Sequence, residues 1–224
     1  MKERLNRDQT AAIAALELEP GWVVNLGVGM PAFVSNYIFP EMDITLHAEH
    51  GLLGYGPLAD ELNEDPDTTN ATGDYVTLLP GAVTMNHAES FALIRRGIID
   101  CVMLGAYEVD QHGSFSNWKI RTDLPLGVGN ILGGAMDLAQ CSKRVFIMME
   151  HTLSDGVTPR IIEKCTLPIT AANVVTKIIT DIAVIEVTNE GLVLKKHAPG
   201  FSAEEIQALT GVPLIISPDF CSAL

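Results

Sequence analysis

Two apolar runs, Ile98-Ile-Asp-Cys-Val-Met-Leu104 and Arg144-Val-Phe-Ile-Met-Met149, decide the fold class. Each run is nearly continuous in Val, Ile, Leu and Met, which is typical of strands that are covered on both faces. Such strands occur in parallel sheets, where neighbouring strands are joined by crossovers that usually contain a helix. The two runs therefore predict an α/β protein.

Strand-like and helix-like segments alternate around these runs. Strands are expected at 22–26, 43–48, 75–79, 182–187 and 192–194, and helices at 6–19, 31–38, 89–96, 134–141, 173–179 and 203–209. Residues 60–74 are acidic and poor in large apolar side chains, which indicates a solvated loop. This order predicts a single domain over residues 1–224, with an open, mostly parallel sheet flanked by helices.

The charge balance narrows the range of partners. Fourteen Lys and Arg against 28 Asp and Glu give a formal net charge of −14. This sign opposes binding to a phosphate backbone or to an anionic membrane, so neither nucleic acid nor membrane is expected as a partner. No apolar stretch reaches the ~18 residues of a membrane helix, and residues 1–19 do not resemble a signal peptide.

The cysteines indicate a compartment. The four residues Cys101, Cys141, Cys165 and Cys221 are scattered, and no Cys-x-x-Cys pair occurs. This spacing favours free thiols over a disulfide framework or a structural zinc site. A reducing, cytoplasmic location is therefore expected.

The first glycine-rich turn, Gly27-Val-Gly-Met-Pro-Ala32, follows a predicted strand. It matches the relaxed dinucleotide fingerprint, and Glu49 lies twenty residues after Gly29, where a ribose-binding acid is expected. A dinucleotide-binding oxidoreductase is therefore an open alternative. Pro31 weakens it, because proline removes a backbone N–H from the turn that would face the pyrophosphate.

The second glycine-rich turn, His47-Ala-Glu-His-Gly-Leu-Leu-Gly-Tyr-Gly-Pro57, places a carboxylate at a strand end. No Lys or Arg occurs between Arg7 and Arg95, whereas thirteen acidic residues do, so Glu49 has no cationic neighbour in sequence. A carboxylate with apolar, glycine-rich flanks is poorly hydrated and more nucleophilic than a hydrated one. Glu49 is therefore a candidate nucleophile, and a solvated glutamate beside a flexible loop is the alternative.

The same segment also suggests a metal site, because His47, Glu49 and His50 are all possible ligands. In an extended strand, however, positions 47 and 49 share a face while position 50 points away. The Pro-Cys-x-x-Cys motif that accompanies His-x-Glu in zinc deaminases is absent. No metal is therefore expected.

Several motifs resemble the B subunit of 3-oxoacid CoA-transferases, which are class I CoA-transferases. Two of them are specific: the Glu-x-Gly-x-x-Gly-x-Gly motif that begins at Glu49, and Gly133-Gly-Ala-Met-Asp-Leu138. The others, in chain order, are Val24-Asn-Leu-Gly-Val-Gly-Met-Pro31, Glu89-Ser-Phe-Ala-Leu-Ile-Arg95, Asn117-Trp118, Met149-Glu-His151 and Lys164-Cys-Thr-Leu-Pro168. The resemblance extends from about Val24 to Ser217.

The resemblance implies a reaction. Glu49 would attack an acyl-CoA thioester and then hold CoA as a glutamyl-CoA thioester, with a short acyl-CoA such as succinyl-CoA as the donor. The acceptor would be a 3-oxo acid such as acetoacetate or 3-oxoadipate. CoA would be a substrate, and no cofactor is expected. The residues expected to bind the acyl-CoA or its oxyanion are Gly133, Gly134, Asn25, Gly27, Gly29, Met30, His50 and Gly51.

The resemblance also implies a partner, the A subunit of the CoA-transferase, in a heterodimer or heterotetramer with the active site at the A–B interface. Either this partner or the cations Lys119, Arg121, Lys143 and Arg144 would bind the phosphates of CoA. A scaffold subunit without catalytic activity is the non-enzyme alternative.

The chain departs from the family pattern at three places. His50 stands where the family usually has Asn, Arg96 stands where it usually has Gly, and Gly129-Asn-Ile-Leu132 replaces the usual Lys-Gly-Met segment. The His50 imidazole keeps a hydrogen-bond donor but adds a group that titrates near neutral pH. These departures leave the acceptor acid and the oxyanion geometry open.

Overall fold

The computed structural model describes residues 2–120 and 133–223 of the chain. The strands are β1 (Val23–Leu26), β2 (Thr45–Ala48), β3 (Leu52–Leu58), β4 (Val76–Thr84), β5 (Cys101–Gly105), β6 (Glu108–Asp110), β7 (Phe115–Ser116), β8 (Val145–Met149), β9 (Ile161–Ile162), β10 (Val175–Thr180), β11 (Ala183–Thr188), β12 (Gly191–His197) and β13 (Leu214–Ser222). The α-helices are α1 (Arg7–Ala15), α2 (His87–Arg95), α3 (Ala135–Cys141) and α4 (Ala203–Ala208). Two 3₁₀ helices span Met30–Tyr37 and Pro40–Met42.

Ten of these strands form one sheet in the order β13-β12-β11-β10-β8-β5-β1-β2-β3-β4. The five central strands, from β10 to β2, are parallel to one another. Antiparallel pairs extend the sheet on both sides, and β13 runs parallel to β12 at one edge. The prediction of an open, mostly parallel sheet flanked by helices is confirmed. A second sheet contains β7, β6 and β9.

The two apolar runs form the centre of the core. Every residue of β8 is buried, as are Cys101–Leu104 of β5. Helix α1 packs against the 3₁₀ helix Met30–Tyr37, and α2 packs against α3. The interpretation of both runs as fully covered strands is therefore correct. Within residues 2–120 and 133–223, none of the helices has both the length and the hydrophobicity needed to cross a lipid bilayer.

The prediction of a helix at 173–179 is wrong. This segment contains β10, which pairs with β8 on one side and β11 on the other. Its run of Val, Thr and Ile is rich in β-branched side chains, which fit a pleated sheet better than a helix. Asn173 just before it has a φ of 56°, outside the right-handed helical region. The expected α-helix at 31–38 is also wrong in type, since it is a 3₁₀ helix.

The carboxyl ends of four parallel strands meet at one edge of the sheet. Gly27 follows β1, Glu49 follows β2 and Glu150 follows β8, while β5 ends at Gly105. Strands β1 and β2 are direct neighbours, with Asn25 opposite His47. The fold therefore brings the two glycine-rich turns side by side. In open α/β sheets this is the edge at which ligand crevices lie.

Candidate active site

A cavity of about 530 Å³ lies at this edge of the sheet. Of the predicted site residues, Glu49, Gly27, Met30, Gly133 and Gly134 line it. These five residues come from both glycine-rich turns and from the start of α3, so segments far apart in the chain reach one space. The remaining walls are formed mainly by the carboxyl ends of β5 and β8.

Glu49 lies in the tight turn that joins β2 to β3, and its side chain is half-buried. Gly51 closes this turn through a hydrogen bond from its N–H to the Ala48 carbonyl (3.0 Å). The Gly51 carbonyl then accepts a hydrogen bond from the Met85 N–H (2.8 Å). Gly51 has a φ of 131°, and a Cβ atom there would overlap the Met85 carbonyl oxygen. Only glycine fits this position, so Gly51 fixes the turn that carries Glu49.

Asn25 contacts Glu49 directly. The Asn25 Nδ2 atom lies 3.2 Å from Glu49 Oε2, 3.1 Å from the His47 carbonyl oxygen and 3.1 Å from His47 Nδ1. An amide nitrogen can only donate to these three acceptors, so its two N–H groups are shared among them. The opposite amide orientation would place an oxygen against two other oxygens. The contacts therefore fix the orientation of the amide and hold one carboxylate oxygen of Glu49.

His47 extends this network to helix α2. It is fully buried, and its Nε2 atom lies 3.0 Å from Ser90 Oγ. Burial lowers the pKa of His47 to about 4, and the neighbouring Glu49 charge offsets this only in part. The imidazole is therefore neutral near pH 7. Because Nδ1 accepts from Asn25, the proton of the neutral ring is assigned to Nε2, which donates to Ser90.

Two polar features complete the surroundings of Glu49. Asn25 Oδ1 is buried and has no hydrogen-bond partner within residues 2–120 and 133–223. Tyr55 is almost fully buried, and burial together with the Glu49 charge raises the pKa of its hydroxyl. The Glu49 carboxylate thus lies between a neutral imidazole, a neutral phenol and an amide. None of these groups carries a positive charge that would form an ion pair with it.

Gly27 and Gly134 are required for close packing. A Cβ atom on Gly27 would come within 3.0 Å of the Met103 carbonyl oxygen, and one on Gly134 within 2.5 Å of the Phe91 ring. Gly133 is exposed, and a Cβ atom on it would meet no other atom within 4 Å. Gly133 and Gly134 therefore contribute backbone without side chains to the wall of the cavity.

Four predicted site residues do not line the cavity. Gly29 is exposed at the start of the 3₁₀ helix, His50 points to solvent, and Gly51 packs on Met85 instead. The fourth is Asn25, which is buried and donates a hydrogen bond to the Glu49 carboxylate. The structure therefore separates residues that contact the cavity from residues that shape the turns around it.

The expected phosphate-binding cations lie elsewhere. Lys143 and Arg144 precede β8 and so lie at the opposite end of the sheet from Glu49. Lys143 pairs with Asp100 at 2.6 Å, and the Arg144 guanidinium lies 4.3 Å from the Trp22 ring centre. Lys119 does not line the cavity. Arg121, and the departure at Gly129-Asn-Ile-Leu132, lie outside the described residues.

Sequence reasoning missed several cavity residues, namely Arg7, Leu104, Asn117, Glu150 and Arg160. The position of Glu150 directly after β8 matches that of Glu49 after β2, so the carboxyl-end rule offered a usable signal. Asn117 and Glu150 also belong to the motifs Asn117-Trp118 and Met149-Glu-His151. These motifs resemble those of the CoA-transferase B subunit but had suggested no role at the site. No local pattern points to Arg7 or Arg160.

The metal alternative finds no support in this geometry. Both ring nitrogens of His47 are in hydrogen bonds to Asn25 and Ser90, so neither faces a shared ligand position with His50. In the part of the chain that the structure describes, no group of three or more His, Cys, Asp or Glu residues could hold a metal ion.

A carboxylate and glycine-rich backbone thus line a cavity at the carboxyl ends of parallel strands, which is the usual ligand site of an open α/β protein. The chain belongs to the coenzyme A transferase family, whose pattern matches residues 7–209. It is therefore a CoA-transferase. This membership leaves the oxidoreductase and scaffold alternatives without support.

Named relatives agree with this assignment, and a solved structure shares the fold. The chain is 40% identical over 212 residues to the B subunit of the 3-oxoadipate CoA-transferase of Acinetobacter baylyi, covering 95% of this chain and 96% of that one. It is 41% identical over 220 residues to the human mitochondrial succinyl-CoA:3-ketoacid coenzyme A transferase 2, covering 97% and 42%, respectively. The acyl-CoA transferase YdiF of Escherichia coli O157:H7, solved as a thioester complex with CoA, shares the fold with a TM-score of 0.73 at 22% identity, covering 99% and 44%.

Proposed function

We propose that this chain is the B subunit of a heteromeric CoA-transferase that moves CoA between a short acyl-CoA and a 3-oxo acid. The observation that carries the proposal is the half-buried Glu49 carboxylate, which lines the cavity and is held by Asn25. Similarity to the B subunit of a 3-oxoadipate CoA-transferase over nearly the whole chain supports the substrate class. Succinyl-CoA is the proposed donor, and acetoacetate or 3-oxoadipate the proposed acceptor.

The proposed first half-reaction has two steps. A Glu49 carboxylate oxygen attacks the thioester carbonyl carbon of the acyl-CoA, the C–S bond breaks, and CoA leaves as a thiolate from a mixed anhydride. The thiolate then attacks the glutamyl carbonyl carbon. The anhydride C–O bond breaks, the donor acid leaves as a carboxylate, and CoA remains on Glu49 as a thioester. A carboxylate suits this chemistry because an anhydride is reactive enough for a thiolate to reopen it.

The second half-reaction reverses these steps with the acceptor. The acceptor carboxylate attacks the glutamyl-CoA thioester and releases the thiolate, which then attacks the acceptor acyl carbon and frees Glu49. Electrons and protons balance without an external reagent, so no cofactor is needed and CoA is a substrate. The YdiF thioester complex supports the fold's capacity for such an adduct.

Asn25 gives Glu49 its proposed orientation. Its N–H donation to Oε2 leaves the other carboxylate oxygen, Oε1, as the attacking atom. Each addition step places negative charge on a carbonyl oxygen, which fixed N–H donors stabilise. We assign that role to the backbone of Gly133 and Gly134, which line the same cavity. The apolar wall supplied by Leu104 and Met148 favours exclusion of water, which would otherwise hydrolyse the activated intermediates.

The partner A subunit is proposed to cover the edge strand β4. This strand exposes Leu78 (48%), Leu79 (41%) and Val83 (48%). Exposed apolar edges of sheets are normally covered by another chain or element. Leu52 pairs with Thr84, so the carboxyl end of β4 lies beside the turn that carries Glu49. A partner on β4 would therefore close the active site from one side. The four free thiols fit the proposed cytoplasmic location.

The proposal is tested by assaying the chain together with its A subunit. The A–B complex is expected to transfer CoA from succinyl-CoA to a 3-oxo acid, and Glu49→Gln is expected to abolish the transfer. The matched control is Glu150→Gln, which neutralises another carboxylate of the same cavity. Undiminished transfer by the Glu49→Gln complex would overturn the proposal.

A further inference from the structure

Arg160 is a cation fixed at the wall of the cavity. Its Nε atom donates to the Tyr107 carbonyl at 2.9 Å, and its Nη2 atom donates to the Ala106 carbonyl. These two hydrogen bonds hold the Arg160 side chain against the loop after β5. A guanidinium has five N–H groups, so most of the donors of Arg160 are not used by these carbonyls.

Arg160 has no carboxylate partner in the part of the chain that the structure describes. Arg4 and Arg95, by contrast, each form an ion pair, with Asp181 at 2.7 Å and Asp137 at 2.8 Å, respectively. Arg160 is half-buried, and burial lowers the pKa of its guanidinium, although the charges of Glu150, Asp181 and Glu108 offset the effect in part. None of these three carboxylates forms an ion pair with Arg160, so a bound anion would add direct hydrogen bonds to the free N–H groups of the guanidinium.

The charges around the cavity are few. Arg7, Glu49, Glu150 and Arg160 are the charged residues among its described lining residues. Arg7 is exposed and also lines a neighbouring cavity of about 440 Å³, which Arg160 does not line. Apolar residues, among them Val28, Leu104 and Met148, also line this cavity. A substrate with a short carbon chain and a second anionic group would meet these apolar residues and, at Arg160, a half-buried cation.

We infer that Arg160 binds the distal carboxylate of a dicarboxylic substrate. The inference rests on the proposed function, because it requires the reacting carbonyl to be at Glu49. Arg160 is well suited to this role, since a guanidinium holds a carboxylate with two parallel hydrogen bonds. Donor and acceptor react at Glu49 in turn, so one subsite serves both the succinyl group and a six-carbon 3-oxo diacid. Dicarboxylic substrates are thereby preferred over acids that end in a methyl group.

The test compares matched substrates with wild-type and variant A–B complexes. Succinyl-CoA is paired with butyryl-CoA, and 3-oxoadipate with 3-oxohexanoate, so that each pair differs by a carboxylate in place of a methyl group. Arg160→Gln is expected to lower kcat/KM for the dicarboxylic member roughly 10- to 100-fold, mainly through KM, and to change the methyl member by less than about threefold. Arg160→Lys keeps the charge and should restore part of the preference. Lys195→Gln removes the same charge from outside the cavity and serves as the control.

The outcomes separate this inference from the proposed function. An equal loss of kcat/KM for both members of each pair would mean that Arg160 only stabilises the loop after β5. The inference would then be wrong. A wild-type complex that uses both members equally well would also overturn it. In either case CoA transfer and its dependence on Glu49 would remain, so the proposed function would stand. If the wild-type complex transferred CoA from neither donor to 3-oxoadipate, 3-oxohexanoate or acetoacetate, the proposed function itself would fail.

Discussion

The amide of Asn25 donates a hydrogen bond to Glu49 Oε2 across 3.2 Å. This contact joins the two glycine-rich turns, because Asn25 belongs to β1 and Glu49 follows β2. It also gives the two carboxylate oxygens different surroundings, because Asn25 donates to Oε2. The orientation of this carboxylate, the proposed nucleophile, is thus set by a residue that does not itself line the cavity.

Replacing Asn25 with Ala is expected to lower kcat about 10- to 100-fold, because a hydrogen bond to a charged group contributes roughly 1.5–3 kcal/mol. Asn25→Asp should be worse, since it places a second carboxylate against Glu49. Steady-state kinetics of the A–B complex provide the measurement, and circular dichroism of each variant checks that it folds. Wild-type kcat in both variants would show that the contact does not orient the nucleophile.

The stability of the chain is expected to fall at acidic pH because of His47. Its pKa is about 4 in the folded state, against an ordinary value of 6.5. Between these values the unfolded chain binds a proton that the folded chain does not, so the free energy of unfolding decreases as the pH falls. The full effect is roughly 3 kcal/mol. His151 is buried with a similarly lowered pKa and acts in the same window.

The His47→Gln variant isolates this contribution. Gln keeps hydrogen-bonding groups but does not titrate, so urea unfolding should show a smaller loss of stability between about pH 7 and about pH 4.5 than in the wild type. His151→Gln is the matched variant for the second histidine. An unchanged slope in His47→Gln would mean that His47 binds its proton equally well in the folded and the unfolded chain.

Gly51 and Gly29 form a matched pair for backbone strain. Both have positive φ, of 131° and 87°, but a Cβ atom on Gly51 would overlap the Met85 carbonyl whereas one on Gly29 meets open space. Gly29→Ala should therefore cost about 1–3 kcal/mol of stability from backbone strain alone. Gly51→Ala should cost clearly more and should also lower activity, because it displaces the turn of Glu49. Equal destabilisation of the two variants would contradict the packing described for Gly51.

The exposed edge of β4 predicts the position of the interface with the partner. Leu78→Asn is expected to weaken association with the partner at least about tenfold, since it removes apolar surface from a buried interface. Leu16, which is 71% exposed at the end of α1, supplies the control variant Leu16→Asn. Association is measured by calorimetry or surface plasmon resonance. Equal affinities for the two variants would place the interface elsewhere.

The fold class followed from the apolar runs of β5 and β8, because burial on both faces leaves a signal in composition alone. The edge strands left a weaker signal. β13 contains Pro218 and Asp219 and pairs on one side only, and β3 contains Gly54 and Gly56, which are typical of a loop. Strand β10 was mistaken for a helix because its apolar spacing fits both periods, and only the sheet around it selects the strand.

The lining of the cavity was predictable where residues follow a strand end. Glu49 and Gly27 follow strand ends and line the cavity, and Gly133 belongs to a recognised motif and also lines it. Their roles in catalysis stay predictions. Arg160 was not predicted to line the cavity, because it lies in a loop. Its side chain is held by hydrogen bonds to the carbonyls of Ala106 and Tyr107, which are distant in sequence. The hydrogen bond between His47 and Ser90 was not predicted either. It depends on how α2 packs against β2, and these two elements are distant in sequence.

Glu49 is expected to carry CoA covalently during turnover, and trapping the adduct tests this most directly. The A–B complex is incubated with acyl-CoA without acceptor, reduced with borohydride and digested for mass spectrometry. A glutamyl-CoA thioester is reduced to an alcohol, so the peptide that contains residue 49 should change mass in the wild type and in Glu150→Gln. An unmodified Glu49 in a complex that is actively transferring CoA, or an adduct on a different residue, would contradict the account.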